Sequence, residues 1–162
     1  MTVDSTYADL ALNRPVEDAD PLVADLIVRE SHRQRDKLIL IPSESLTPRP
    51  VRDALASPFT SIYAEGYPAL AMIRDEESAL EDIERQLARS RRYGDRRYYR
   101  GNEFSNLVEA LAQRRCAEIF ANKPAKHGPL YVNVQPLSGA AANNAVEEAL
   151  LEPDDTMMGL SL

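Results

Sequence analysis

The last third of the chain constrains the fold most. Leu130-Tyr-Val-Asn-Val-Gln135 is rich in β-branched and aromatic residues and predicts a strand. The turn Pro136-Leu-Ser-Gly139 follows. Ala140–Leu151 is an alanine-rich helix former, closed by Glu152-Pro-Asp-Asp155. Thr156-Met-Met-Gly-Leu160 then predicts a second strand. Two strands joined through one helix by short connections form a right-handed parallel crossover, the unit of an α/β sheet. Parallel sheets are covered on both faces, and two or three strands do not build one. By length alone, 162 residues suit a single domain. The crossover instead predicts an incomplete portion of a larger α/β domain.

Composition narrows the function classes. With 44% hydrophobic residues a core is possible, and wholesale disorder is not expected. The net charge of −7 argues against non-specific binding to nucleic acid or to an anionic membrane. No apolar run approaches the ~20 residues of a membrane span, and the first residues lack a basic-then-apolar leader. The cytoplasm is therefore the expected compartment. A lone Cys116 excludes an intrachain disulfide, and His32 and His127 stand outside any metal-ligand spacing, so no metal is expected. Charge is nonetheless segregated. Arg85, Arg89, Arg91, Arg92, Arg96, Arg97 and Arg100 face one acid, Asp95, leaving a local balance of +6 and −13 elsewhere. Such a run is either a solvated helix face or a recognition patch.

Residues 1–20 read as an irregular arm, and Asp20-Pro21 as the N-cap and first position of an amphipathic helix. Leu38-Ile-Leu-Ile41 predicts a short strand, ended by Pro42 and the turn Ser43-Glu-Ser45. Residues 51–62 predict a short helix or turn, and Tyr63-Ala-Glu-Gly-Tyr-Pro68 a loop. Residues 73–92 predict one helix striped by Ile73, Leu80, Ile83 and Leu87, with a Glu81–Arg85 pair one turn apart. Phe104, Val108, Leu111, Cys116 and Ile119/Phe120 stripe a further helix, on which Cys116 is core filler rather than nucleophile.

Two places carry chemistry. Ser138-Gly139 before an alanine-rich helix offers free N–H groups, a hydroxyl and a positive helix end to a phosphate. The same serine is equally explained as a simple N-cap. Tyr63, Glu65, Tyr67, Tyr98 and Tyr99 concentrate hydrogen-bonding side chains in two loops, as a site or a subunit interface would. Glu65, if partly buried, would have a raised pKa suited to acid–base work.

Order and wording then point further. Ile41-Pro-Ser-Glu-Ser45, Tyr63-Ala-Glu-Gly-Tyr-Pro68, Arg97-Tyr-Tyr-Arg-Gly-Asn-Glu103, Asn133-Val-Gln-Pro-Leu-Ser-Gly-Ala140 and Met158-Gly-Leu-Ser161 follow one another. Over about residues 20–162 this succession resembles the N-terminal part of serine hydroxymethyltransferase (glycine hydroxymethyltransferase). The resemblance implies the aspartate-aminotransferase fold, pyridoxal 5'-phosphate as cofactor and tetrahydrofolate as co-substrate in serine–glycine interconversion. It implies a homodimer or tetramer with shared active sites. Ser43 would help bind the amino-acid carboxylate, and Tyr63 would reach the cofactor phosphate of a neighbouring subunit. Glu65 would move protons near the substrate hydroxyl and folate, Tyr99 would border the same site, and Tyr98 would support it. Ser138, Gly139 and Ala140 would cradle the phosphate. The implied organisation is an arm and helix over 1–50, site-forming loops and helices over 51–129, and a first strand–helix–strand unit over 130–162.

This sequence departs from the family pattern in places. Leu137, Ala141 and Ser45 stand where the family usually has His, Gln and Asn. Twenty-eight residues separate Pro68 from Arg97, where most members have only a couple, so 70–95 reads as an insertion. Its arginines would meet acidic surface on a partner, a reading placed above RNA binding. Lys37, Lys123 and Lys126 occupy none of the family's lysine contexts, so the isolated chain is expected to be inactive. The alternatives are a non-catalytic dimerising module and a related pyridoxal-phosphate aldolase, the latter disfavoured by Tyr-Ala-Glu-Gly-Tyr-Pro.

Overall fold

The computed structural model describes residues 12–94, 96–121 and 130–160. The chain divides into two compact units, Met1–Ser57 and Pro58–Leu162.

In the first unit, α1 (Val16–Ala19), α2 (Pro21–Asp36) and α3 (Arg49–Leu55) follow one another. Helix α2 starts where the sequence predicts. The Asp20 carboxylate accepts from the N–H groups of Leu22 and Val23, both at 3.1 Å, and Pro21 fills the position that needs no donor. Surface pairs Arg29–Asp25 (2.6 Å) and Arg33–Glu30 (2.7 Å) run along it. Leu38–Ile41 is not the expected strand. Its backbone pairs with no other segment among the described residues, and Leu38 and Leu40 are exposed. Apolar and β-branched composition favours an extended chain, but only a neighbouring strand makes a ladder.

The second unit is built around a two-stranded antiparallel ladder, β1 (Gly66–Tyr67) against β2 (Arg96–Arg97), with Gly66 opposite Arg97 and Tyr67 opposite Arg96. Between these strands run α4 (Leu70–Ile73), α5 (Glu77–Glu81) and α6 (Ile83–Tyr93). The single helix expected over 73–92 is therefore broken twice. At the second break Asp82 leaves the helical region (φ −77°, ψ 74°), and its carboxylate accepts from the N–H of Arg85 at 3.1 Å. An aspartate satisfies helix-end N–H groups better than it serves a helix interior, and here that preference overrides the periodicity. Glu81 and Arg85 consequently lie on different helices.

Helix α7 (Glu103–Phe120) occupies the predicted span but turns a different face inward. Its buried positions are Asn106, Ala110 and Gln113, whereas Phe104, Val108, Ile119 and Phe120 are exposed. Cys116 is half-buried. The core is small: Met72 and Leu80 from the 70–95 segment meet Ala110, with Ala69, Leu107 and Leu111 alongside. Ion pairs reinforce the same contact, Arg114 with Glu76 and Arg115 with Glu77.

Helix α8 (Gly139–Leu150) follows the predicted turn. The expected strands at 130–135 and 156–160 are unpaired extended segments among the described residues, and Tyr131, Met158 and Leu160 are exposed. Only the helix of the crossover is formed, because strand pairing needs neighbours that these residues do not supply.

Candidate functional site

The centre of the second unit is a buried arginine. The Arg97 side chain is 1% exposed and paired with Glu109 at 2.5 Å. Its Nε donates to Asn106 Oδ1 at 2.8 Å, and its Nη1 donates to the backbone carbonyls of Ala64 (2.5 Å) and Gly66 (2.8 Å). A charge taken from water is tolerated only when paired and hydrogen-bonded on all sides, which the planar guanidinium fork allows. This explains the polar inner face of α7. Asn106 and Glu109 sit there to receive Arg97, so the apolar stripe is rotated outward.

Three separated motifs meet at this point. Gln135, from Asn133-Val-Gln-Pro, donates to Gly66 O at 2.8 Å and to Glu109 Oε1 at 2.9 Å. Gln113 donates to the same carboxylate oxygen at 3.1 Å. The Tyr98 N–H donates to Glu65 O at 3.0 Å, and buried Asn102 ties Tyr99 O at 3.0 Å. Gly66 has φ +98°, and a Cβ there would collide with the Arg96 carbonyl and sit 2.9 Å from Arg97 Cα. Only glycine permits the close approach of the two loops.

Above this base stand the predicted side chains. Tyr63 and Tyr99 rings lie 6.2 Å apart at 42°. The Tyr99 hydroxyl hydrogen-bonds the Glu65 carboxylate, and that bond, with the negative charge itself, raises the Tyr99 pKa above the ordinary phenol. Glu65 is exposed, so the condition of partial burial set by the sequence reading is not met. Tyr98 points into solvent at 80% exposure, and Arg96 stacks over the Tyr67 ring at 5.2 Å. Tyr63, Glu65 and Tyr99 are thus brought together. Ser43 lies in the first unit, on the turn closed by the Glu44 N–H to Ile41 O bond.

Ser138 caps α8, accepting from Ala141 N at 3.2 Å through Oγ and from Ala142 N at 3.1 Å through its carbonyl. Both readings of this serine are compatible, since a hydroxyl that accepts at the cap keeps its proton to donate. The N–H groups of Gly139 and Ala140 lie in the first turn, where no intrahelical acceptor exists. A Cβ placed on Gly139 would meet nothing within 4 Å, and all three residues are exposed. Two N–H donors, one hydroxyl and a positive helix end in open space fit a phosphate dianion. Among the described residues no group of His, Cys, Asp or Glu could hold a metal, and no helix is long and apolar enough to cross a membrane.

Sequence reasoning singled out the tyrosines and the serine turn but missed Arg97, Asn106, Glu109 and Gln135 as the scaffold beneath them. The available signal was polar residues recurring at i, i+3 and i+7 (Asn106, Glu109, Gln113) on a helix that otherwise had an apolar stripe.

The family match gives the chain the architecture of a partial, N-terminal portion of an aspartate-aminotransferase-like fold. The model of the serine hydroxymethyltransferase family matches residues 16–92 and 77–162, and the chain belongs to that family. It is 42% identical over 150 residues to the serine hydroxymethyltransferase of Kocuria rhizophila, covering 93% of this chain and 28% of that protein. It is 37% identical over 155 residues to the mitochondrial serine hydroxymethyltransferase of Saccharomyces cerevisiae, covering 96% and 26%. The Caenorhabditis elegans serine hydroxymethyltransferase is 41% identical over 147 residues, covering 91% and 23%. The chain therefore spans about a quarter of the length of the curated relatives it matches. The two matched segments overlap within 77–92, inside the 70–95 segment that runs between the two tyrosine loops.

Proposed function

We propose that this chain supplies the phosphate turn and the tyrosine–glutamate loops of a pyridoxal-phosphate enzyme that interconverts serine and glycine with tetrahydrofolate. The observation that carries this reading is the meeting of Glu65, Tyr99 and Tyr63 on one surface, above a base tied to the Asn133-Val-Gln-Pro segment that leads into the serine turn.

Each role follows from the chemistry of its side chain. The N–H groups of Gly139 and Ala140 and the Ser138 hydroxyl hold the cofactor phosphate. When bound, the cofactor supplies an electron sink for the substrate α-carbon. Glu65, an exposed carboxyl group, accepts or returns a proton at the substrate hydroxyl. The Tyr99 phenol, kept neutral by its carboxylate partner, donates the hydrogen bond that orients Glu65. Ser43 contributes a hydrogen bond to the substrate carboxylate. Tyr63 and Tyr98, at 79% and 80% exposure, are presented to a second subunit, whose phosphate Tyr63 would reach. This supports a dimer with shared sites.

Lys37 ends α2 by donating its N–H to Arg33 O, and Lys123 and Lys126 lie outside the described residues. None stands in a context that would anchor the cofactor. The 162-residue chain alone is expected to cleave serine no faster than free pyridoxal phosphate.

The test is a chimera in which this chain replaces the matching part of the Kocuria rhizophila relative. Cofactor-dependent serine–glycine interconversion is expected, with Glu65→Gln lowering kcat roughly 10²–10⁴-fold. A folded, cofactor-loaded chimera whose kcat ignores Glu65→Gln would overturn the assignment.

A further inference from the structure

Glu65 and Tyr99 are exposed loop side chains on either side of a long excursion through α4, α5 and α6. Such side chains keep a fixed relation only if their backbones are held. One side chain holds both. Arg97 Nη1 reaches the carbonyl before Glu65 and the carbonyl after it, at 2.5 and 2.8 Å. Arg97 is itself two residues from Tyr99, on the strand whose next N–H, that of Tyr98, donates to Glu65 O. Its remaining donors are anchored on α7 through Asn106 and Glu109.

We infer that Arg97 is the positioning residue of the site: its buried guanidinium fixes the Glu65 backbone beside Tyr99 and closes the base of the 70–95 excursion, so that the inserted helices do not part the two halves of the site. The fork geometry is what the position requires. Four acceptors lie in different directions, and the point-like ammonium of lysine does not reach them together. The excursion leaves and returns at cross-strand neighbours, Tyr67 and Arg96. A segment of any length can therefore be carried at this point while Glu65 and Tyr99 stay adjacent. The inference rests on the catalytic reading of Glu65 and Tyr99, but its test does not use activity.

The 162-residue chain is labelled with ¹³Cζ-tyrosine, Tyr99 is assigned by Tyr99→Phe, and its phenol is titrated by NMR. In the unmodified chain Tyr99 is expected to titrate above the ordinary phenol, and Glu65→Gln should return it towards the ordinary phenol. Arg97→Lys and Arg97→Met should do the same while helix content by circular dichroism is kept. The sign separates positioning from simple electrostatics. Removing a nearby positive charge would by itself push the phenol pKa higher, whereas release of Glu65 lowers it. A Tyr99 titration that stays raised, or rises, in the folded Arg97 variants overturns the inference, as does a Glu65→Gln variant without effect. If the Arg97 variants lose their helices, Asn106→Ala decides: it removes one anchor of the guanidinium, and Tyr99 should move part of the way down, an unmoved titration again overturning the inference. Failure of the catalytic reading would show instead in the chimera's kcat and leave these titrations unchanged.

Discussion

Gly66 concentrates several constraints at one residue. It pairs with Arg97, gives its carbonyl to both Arg97 and Gln135, and adopts φ +98° against the Arg96 backbone. A methyl group there meets backbone atoms, which yield less than the end of a flexible side chain. Gly66→Ala is expected to destabilise the second unit by about 1–3 kcal/mol from the strained φ alone, and more from the collision. Urea unfolding followed by circular dichroism measures it. Gly139 is the contrast, since nothing surrounds its hypothetical Cβ. Gly139→Ala should leave the midpoint nearly unchanged. Equal losses at both positions would contradict the loop geometry.

Helix boundaries follow side-chain chemistry more closely than periodicity. Asp20 and Ser138 start α2 and α8 where their sequences place them, because an N-cap is a local interaction visible in a few residues. Asp82 obeys the same rule within a run whose apolar spacing suggested a continuous helix. Helix α2 also carries a pH-dependent element. Hydrogen bonds from Arg33 and then Gln34 lower the Glu30 pKa from 4.5 to about 2, against a weaker opposing effect of desolvation. The pKa is depressed in the folded state, so the contribution of this pair to α2 is complete above pH about 4.5 and is lost as the pH falls towards about 2. Carboxyl ¹³C titration should place Glu30 well below the ordinary glutamate range, and Arg33→Ala should move it back up. A Glu30 that titrates in the ordinary glutamate range would show that the pair does not persist in solution.

For the whole molecule, the decisive quantity is how little apolar side chain is buried. Among the described residues the buried hydrophobic core is Met72, Leu80 and Ala110, while Tyr131, Leu137, Met158 and Leu160 are each more than 90% exposed. The 70–95 segment contributes two of the three core residues, so in this chain it carries the core rather than decorating it. Met72→Ala should cost about 2–5 kcal/mol, a large part of the stability of any small domain. Leu137→Ala should change stability by less than about 0.5 kcal/mol. Thermal melts of the two variants check the contrast. A Leu137→Ala variant as unstable as Met72→Ala would mean that Leu137 is covered in solution.

The sequence by itself determined whatever depends on neighbours along the chain: the caps at Asp20 and Ser138, the span of α7, and the ordered motifs that identify the family. It also marked Tyr63, Glu65, Tyr67, Tyr98 and Tyr99 as a concentration of hydrogen-bonding side chains, although not which of them meet or that Glu65 is exposed. Only the tertiary structure decided which face of α7 turns inward, because that choice depends on a distant arginine whose buried charge demands Asn106 and Glu109. It likewise left Leu38–Ile41, 130–135 and 156–160 without ladders. Strand propensity belongs to a segment, whereas a strand exists only when another segment completes its hydrogen bonds.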